Sequence, residues 1–176
     1  MMLFPTLHTD RLLLREILDQ DLHHVFEGLS HPDVIRYYGV SYKSLEDTTA
    51  QMEWYGSMIR NDNGRCWAIC SADNQMFYGV ITLPFWKKEH RKAELGYWLL
   101  PSYWRKGFLT EAARAVIDYA FQQMKLHRIS AEVEDDNLGS IAALKRLGFV
   151  YEGTQMETEI KDGRFLNLEM YALLNK

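Results

Sequence analysis

The sequence predicts a mixed α+β fold in which helices cover a central sheet. Three observations carry that prediction. Apolar residues recur with a period of two in some segments and with helical spacing in others, so strands and helices interleave along one chain. The elements read in the order strand, helices, strands, helix, strand, helix, strand, strand, which is the order of a layered sheet-and-helix domain. The 176 residues are 47% hydrophobic and 13% aromatic, enough to fill one core, and no linker, repeat or low-complexity stretch divides them. One domain over 1–176 is therefore expected.

The elements follow in order. Arg11–Ile17 reads as a first strand. Asp19 is placed as the N-cap of a helix whose Leu22, Val25, Phe26 and Leu29 fall at helical spacing. Pro32 opens a short helical turn over His31–Tyr38. Ser44 caps a longer helix running to about Arg60, with Glu46 and Asp47 in its first turn, where acids complement the helix dipole. The turn Asn61–Gly64 leads into a hairpin of Cys66–Ser71 and Met76–Pro84 around Ala72–Gln75. Lys92–Leu100 is a fourth strand. Leu109–Met124 is a helix with Leu109, Ala113, Val116, Ala120 and Met124 on one stripe. Arg128–Val133 is the fifth strand and Asn137–Leu147 a helix. Val150–Ile160 and Arg164–Leu174 are the last two strands, around the turn Lys161–Gly163.

Composition excludes several function classes. A net charge of −4 argues against a general nucleic-acid binder, which needs an excess of Lys and Arg to displace counterions. Cys66 and Cys70 alone make neither a disulfide framework nor a zinc site. Four apart on a strand, they would lie roughly 13 Å from each other, too far for a bridge, and are read as reduced packing residues. No apolar run of about 18 residues occurs, so no membrane span is expected. The opening from Met1 to Arg15 lacks a basic region followed by a long apolar stretch and is not read as a signal peptide. A cytoplasmic protein, monomer or homodimer, is expected. The six histidines share no metal-ligand spacing, so no metal is expected, and the absence of a G-x-S-x-G elbow sets aside a serine hydrolase.

The chemistry concentrates in Ser102–Ala112, which joins the fourth strand to the following helix. A helix start presents unpaired N–H groups and a positive dipole end. Gly107 lets the backbone approach a ligand, and Arg105 and Lys106 add charge. These features describe a phosphate or diphosphate cradle. They also suit an ordinary basic loop before an amphipathic helix. Neither G-x-x-x-x-G-K-[ST] nor G-x-G-x-x-G after a strand is present, so the common nucleotide motifs do not apply.

Gly96-Tyr-Trp-Leu-Leu-Pro-Ser-Tyr-Trp-Arg-Lys-Gly-Phe-Leu-Thr-Glu-Ala112 resembles the corresponding segment of the RimJ/RimL-type protein N-acetyltransferases of the GNAT superfamily, with Arg105 where that branch carries glycine. Against the superfamily's wider Q/R-x-x-G-x-G/A loop, Gly107 matches while Trp104 and Leu109 depart. Thr9–Arg15, Asn137–Phe149, Glu152-Gly153 and Met170-Tyr171 resemble further blocks of the branch in the same order, so the resemblance spans nearly the whole chain.

The resemblance implies a mostly antiparallel twisted sheet of about seven strands, with helices on both faces and a splay between strands four and five that admits acetyl-CoA. It places the pantetheine arm on the backbone of Trp98, Leu99 and Leu100 and the diphosphate on Arg105, Lys106, Gly107, Phe108, Leu109 and Thr110. Asn137 would hold the arm or the substrate, or simply cap its helix. Ser140 would protonate the departing thiolate, and Lys145 is read as a surface lysine rather than a nucleotide contact. Two acids compete as the base that frees the amine: Glu159, preferred for a peptide α-amine, and Glu94, the alternative. Glu111 reads as a first-turn helix acid, Tyr97 and Tyr171 as core, and Tyr37, Tyr38, Trp54, Tyr55, Trp67 and Trp86 as core residues of which some line the acceptor groove.

The implied activity is acetyl transfer from acetyl-CoA to a primary amine by direct attack on the thioester. A protein N-terminal α-amine of ribosomal-protein type is the first candidate acceptor. The alternatives are a small amine (polyamine, amino acid or antimicrobial) and a non-catalytic acyl-CoA sensor. A crowded acidic pocket would favour a small cation, an open groove a peptide.

Overall fold

The computed structural model describes residues 4–176; Met1–Leu3, the beginning of the stretch read as no signal peptide, lie outside the described residues. Among them the strands are β1 (Leu7–His8), β2 (Leu12–Arg15), β3 (Arg65–Ser71), β4 (Phe77–Leu83), β5 (Lys92–Glu94), β6 (Gly96–Leu99), β7 (Arg128–Glu134), β8 (Val150–Lys161) and β9 (Arg164–Leu174). The helices are α1 (Leu22–Ser30), α2 (Pro32–Ile35), α3 (Leu45–Arg60), α4 (Phe108–Gln122) and α5 (Leu138–Arg146). No helix among the described residues is long and apolar enough to cross a membrane.

The strands form two sheets, ordered β1-β2-β3-β4-β6 and β5-β7-β9-β8. Every pairing is antiparallel except β5 with β7. The expected fourth strand is therefore two half-strands that serve different sheets. Its first half pairs with β7 through Glu94↔Ser130, and its second half pairs with β4 through Gly96↔Thr82. Leu95 is the pivot: its N–H donates to Ser130 O, the last rung before β6 and β7 part. This is the expected splay. Counting the half-strands separately and adding the two-residue β1 raises seven strands to nine.

Pleat alternation explains how one chain covers both faces of β3. Cys66, Ala68 and Cys70 join Val25, Leu29, Tyr55, Met58 and Val80 under α1 and α3. Trp67 and Ile69 face the opposite side, with Ile81, Ala113, Val116, Ala120 and Ile129 under α4. Both cysteines are buried and free. The stripe predicted for α4 is buried at Ala113, Val116, Ala120 and Met124 and half-buried at Leu109.

Two local expectations shift and a third holds. Asp19 lies in a 3-10 turn, and α1 starts one turn later, after Asp21. The Asp21 carboxylate takes both Arg15 guanidinium nitrogens (2.7 and 2.9 Å) and the Leu18 N–H (2.8 Å), so this acid clamps β2 to the turn instead of capping the helix. The helical turn after Pro32 ends at Ile35. Ser44 does cap α3, its Oγ accepting from Asp47 N–H at 3.1 Å. Gly28 is required by packing: a Cβ there would fall 2.1 Å from the Trp98 ring, which seats α1 on β6.

Candidate active site

A cleft of ≈ 1220 Å³ opens where β6 and β7 diverge. Its walls are the starts of α4 and α5, the segment from α2 towards α3, and the acidic strands β7 and β8. Glu94, Trp98, Leu99, Arg105, Gly107, Phe108, Leu109, Thr110, Asn137, Ser140 and Glu159 all line it, so most of the residues singled out from sequence converge on one place. Leu100 and Lys106 do not line it. Leu100 is buried, and Lys106 reaches over the Tyr103 ring while its carbonyl accepts from Arg11.

The start of α4 is suited to an anion. Gly107 precedes it at φ +80°, a left-handed conformation that glycine adopts without strain. No side chain caps this end among the described residues, and the first intrahelical bond runs from Glu111 N–H to Gly107 O. The N–H groups of the four residues before Glu111 thus have no helical partner, which is the arrangement that binds diphosphate. Arg105 stands at φ +60°, which explains why the resembling pattern has glycine there. Arg11 braces the loop from behind. Its guanidinium donates to Lys106 O (3.1 Å) and to Glu111 (2.7 Å) and lies over the Phe108 ring (4.7 Å). Burial works against the charge on Glu111, but hydrogen bonds from Thr9 and Arg11 outweigh it and hold the carboxyl below its ordinary range. Glu111 is therefore more than a first-turn acid.

Strand parity decides which backbone groups of β6 face the splay. Leu100 N–H donates to Tyr78 O, so Leu100, and by alternation Trp98 and Gly96, point their backbone groups at β4. Leu99 and Tyr97 point theirs into the cleft, and Trp104 Nε1 already donates to Leu99 O at 2.8 Å. Of the three residues expected to hold an extended arm, only Leu99 presents its backbone; Tyr97 is the second. The Trp98 indole instead donates to Tyr55 Oη (3.2 Å) in the core.

The two candidate bases differ in environment. Glu94 is half-buried, and burial, reinforced by the charge of Glu132, pushes its carboxyl up to about 7. Glu159 is exposed on the rim, beyond an irregularity in the β8–β9 register. Asn137 Oδ1 accepts from Ser140 N–H at 3.2 Å, confirming it as the cap of α5 and leaving its amide nitrogen free of that bond. The Ser140 hydroxyl lies 2.6 Å from the Tyr97 hydroxyl.

Sequence reasoning missed Tyr97, Trp104, Glu132 and Arg146, all of which line the cleft. Arg146, and not Lys145, lines both the cleft and the groove behind α4. One helical step separates them, and nothing in the local pattern distinguishes which faces inward.

Residues 11–150 match the acetyltransferase (GNAT) domain family. The chain is 34% identical to the N-acetyltransferase YoaA of Bacillus subtilis (strain 168) over 173 residues, 98% of each chain. Two solved structures share the fold. The RimL ribosomal L7/L12 α-N-protein acetyltransferase in complex with coenzyme A aligns at TM-score 0.87 and 19% identity, over 97% of this chain and 98% of that one. The spermidine N-acetyltransferase of Vibrio cholerae, in complex with CoA and spermine, aligns at 0.84 and 24%, over 94% and 96%.

Proposed function

The chain belongs to the acetyltransferase (GNAT) family and is an N-acetyltransferase, and on that footing we propose that its acceptor is an α-amine, such as a protein N-terminus of ribosomal-protein type, deprotonated by Glu94. Acetyl-CoA, the acetyl donor of this family, supplies an activated thioester. The residues present fit it. The free N–H groups at the start of α4, with Arg105 and Arg146 nearby, suit its diphosphate, and the outward backbone groups of Leu99 and Tyr97 suit the amides of its arm. Leu99 O, which already accepts from Trp104 Nε1, has a second lone pair for an amide of the arm.

The observation that carries the reading is the place of Glu94, half-buried in the cleft wall near Glu132, where burial pushes its carboxyl up to about 7. Only a neutral amine attacks a thioester. Moving a proton from an α-ammonium of pKa ~7.8 to such a carboxylate costs ~1 kcal/mol, whereas a lysine-like amine of pKa ~10.4 costs ~4.6 kcal/mol. Glu94 takes the first proton from the ammonium; as the C–N bond forms and the C–S bond breaks, Ser140, at the start of α5, gives its proton to the sulfur and is reprotonated by the second proton that the nitrogen sheds.

A second reading has a specific observation behind it. Glu132, Glu134 and Glu159 face the same cleft as Tyr37, Tyr38 and Trp54, a wall suited to an acceptor carrying a second positive charge, such as a polyamine. Glu134 is partly neutralised by Lys161 at 2.8 Å, which is why the α-amine is preferred. Release of free thiol from acetyl-CoA, measured against a panel of peptides with free N-termini and against spermidine, separates the two. Turnover on peptides is the expected result; turnover on spermidine alone transfers the assignment to the second reading.

A further inference from the structure

We propose that Tyr97 is the positioning residue for Ser140: its hydroxyl donates to Ser140 Oγ and thereby turns the serine proton towards the cleft. The inference rests on the reading of Ser140 as donor to the leaving sulfur. Tyr97 lies on β6 and Ser140 in the first turn of α5, 43 residues apart, and their hydroxyl oxygens are 2.6 Å from each other. Both side chains line the cleft. The bond spans the opening between the elements that flank the splay, where no backbone ladder joins them.

The direction of donation follows from the chemistry. If Ser140 gave its proton to Tyr97, it would have none for the sulfur. If Tyr97 gives its proton to Ser140, the serine oxygen accepts once and its own hydrogen is free. Its backbone is already fixed, because Asn137 Oδ1 holds the Ser140 N–H. The remaining freedom is the hydroxyl rotor and three staggered χ1 wells, and a tyrosine donor selects among them. Donation into the oxygen also polarises the serine O–H, making it a stronger hydrogen-bond donor. Burial pushes the Tyr97 phenol up, so it keeps its proton at neutral pH and remains available as a donor.

A double-mutant cycle tests this. The single-turnover rate of acetyl transfer is measured with acetyl-CoA and whichever probe is turned over, a hexapeptide with a free N-terminus or spermidine. Dissociation constants for acetyl-CoA come from calorimetry. Tyr97→Phe removes only the hydroxyl. It is expected to slow transfer about tenfold, the worth of one well-formed hydrogen bond in the transition state, while acetyl-CoA affinity stays within about twofold. Ser140→Ala is expected to slow it at least as much, and the double variant no further than Ser140→Ala alone. Multiplied losses in the double variant would show that Tyr97 acts independently of Ser140, and an unchanged rate in Tyr97→Phe would overturn the inference outright. An unchanged rate in Ser140→Ala would instead remove the reading of Ser140 on which it rests. A purely structural tyrosine would weaken acetyl-CoA binding and lower the melting temperature along with the rate.

Discussion

Replacing Glu94 with glutamine should make the protein more stable and less active at the same time, and the two effects should share one pH dependence. The carboxyl stands at about 7 against an ordinary 4.5, because burial and then Glu132 disfavour its charge. Its folded-state pKa is thus raised, so the folded chain holds this proton more tightly than the unfolded one. Stability from this group is fully present below pH ~4.5 and declines as pH rises through about 7. The rise from 4.5 to about 7 corresponds to roughly 3 kcal/mol for a fully desolvated group. Glu94 is only half-buried, so solvent screening reduces that to ~1–2 kcal/mol. Glutamine keeps the shape and carries no charge. At pH 8 Glu94→Gln should therefore be more stable by ~1–2 kcal/mol, or about 2–8 °C in melting temperature for a chain of this size. The difference should disappear near pH 4.5. Transfer should fall by about 10²–10⁴, the usual contribution of a general base. In the parent protein kcat/KM should climb through an inflection near 7, and the variant should lose that inflection. Urea unfolding at pH 5 and pH 8, beside a pH–rate profile, provides both readouts. Equal stability at both pH values would show that the carboxyl is not desolvated. An inflection near 7 that survives in the variant, apart from the acceptor amine's own at ~7.8, would show that another group of the protein titrates in the reaction.

The remaining predictions concern the loop, the packing and the rival acid. Gly107→Val puts a β-branched residue at φ +80° against the free N–H groups, so acetyl-CoA affinity measured by calorimetry should fall at least about tenfold; unchanged affinity would contradict the cradle. Gly28→Ala places a methyl 2.1 Å from the Trp98 ring and should cost about 1–3 kcal/mol in urea unfolding, with no change if the ring can move aside freely. Glu159→Gln, on the exposed rim, should leave the transfer rate within about threefold and preserve the inflection near 7 in the pH–rate profile. Loss of that inflection in Glu159→Gln, with its retention in Glu94→Gln, would pass the role of base to Glu159.

Local physics already determines the elements. The stripe on α4, the Ser44 cap, the hairpin at Ala72–Gln75 and the glycine before α4 are properties of neighbouring residues, and they appear where short-range spacing puts them. The same holds for Ser102–Ala112 as the approach to a helix start with unpaired N–H groups, because these need no distant partner. Four things were decided only in the folded chain. Lys92–Leu100 reads as one strand, but it divides at Leu95 because its first half pairs with β7, which follows it in the chain, and its second half with β4, which precedes it. Which backbone groups then face the gap depends on a parity set by the contact with Tyr78. How much water reaches Glu94 is set by the pairing of β5 with β7, which brings Glu132 near it from a distant segment, whereas Glu159 stays exposed on β8. Tyr97 and Ser140 meet for the same reason: they are 43 residues apart, and only the folded chain brings their hydroxyls together.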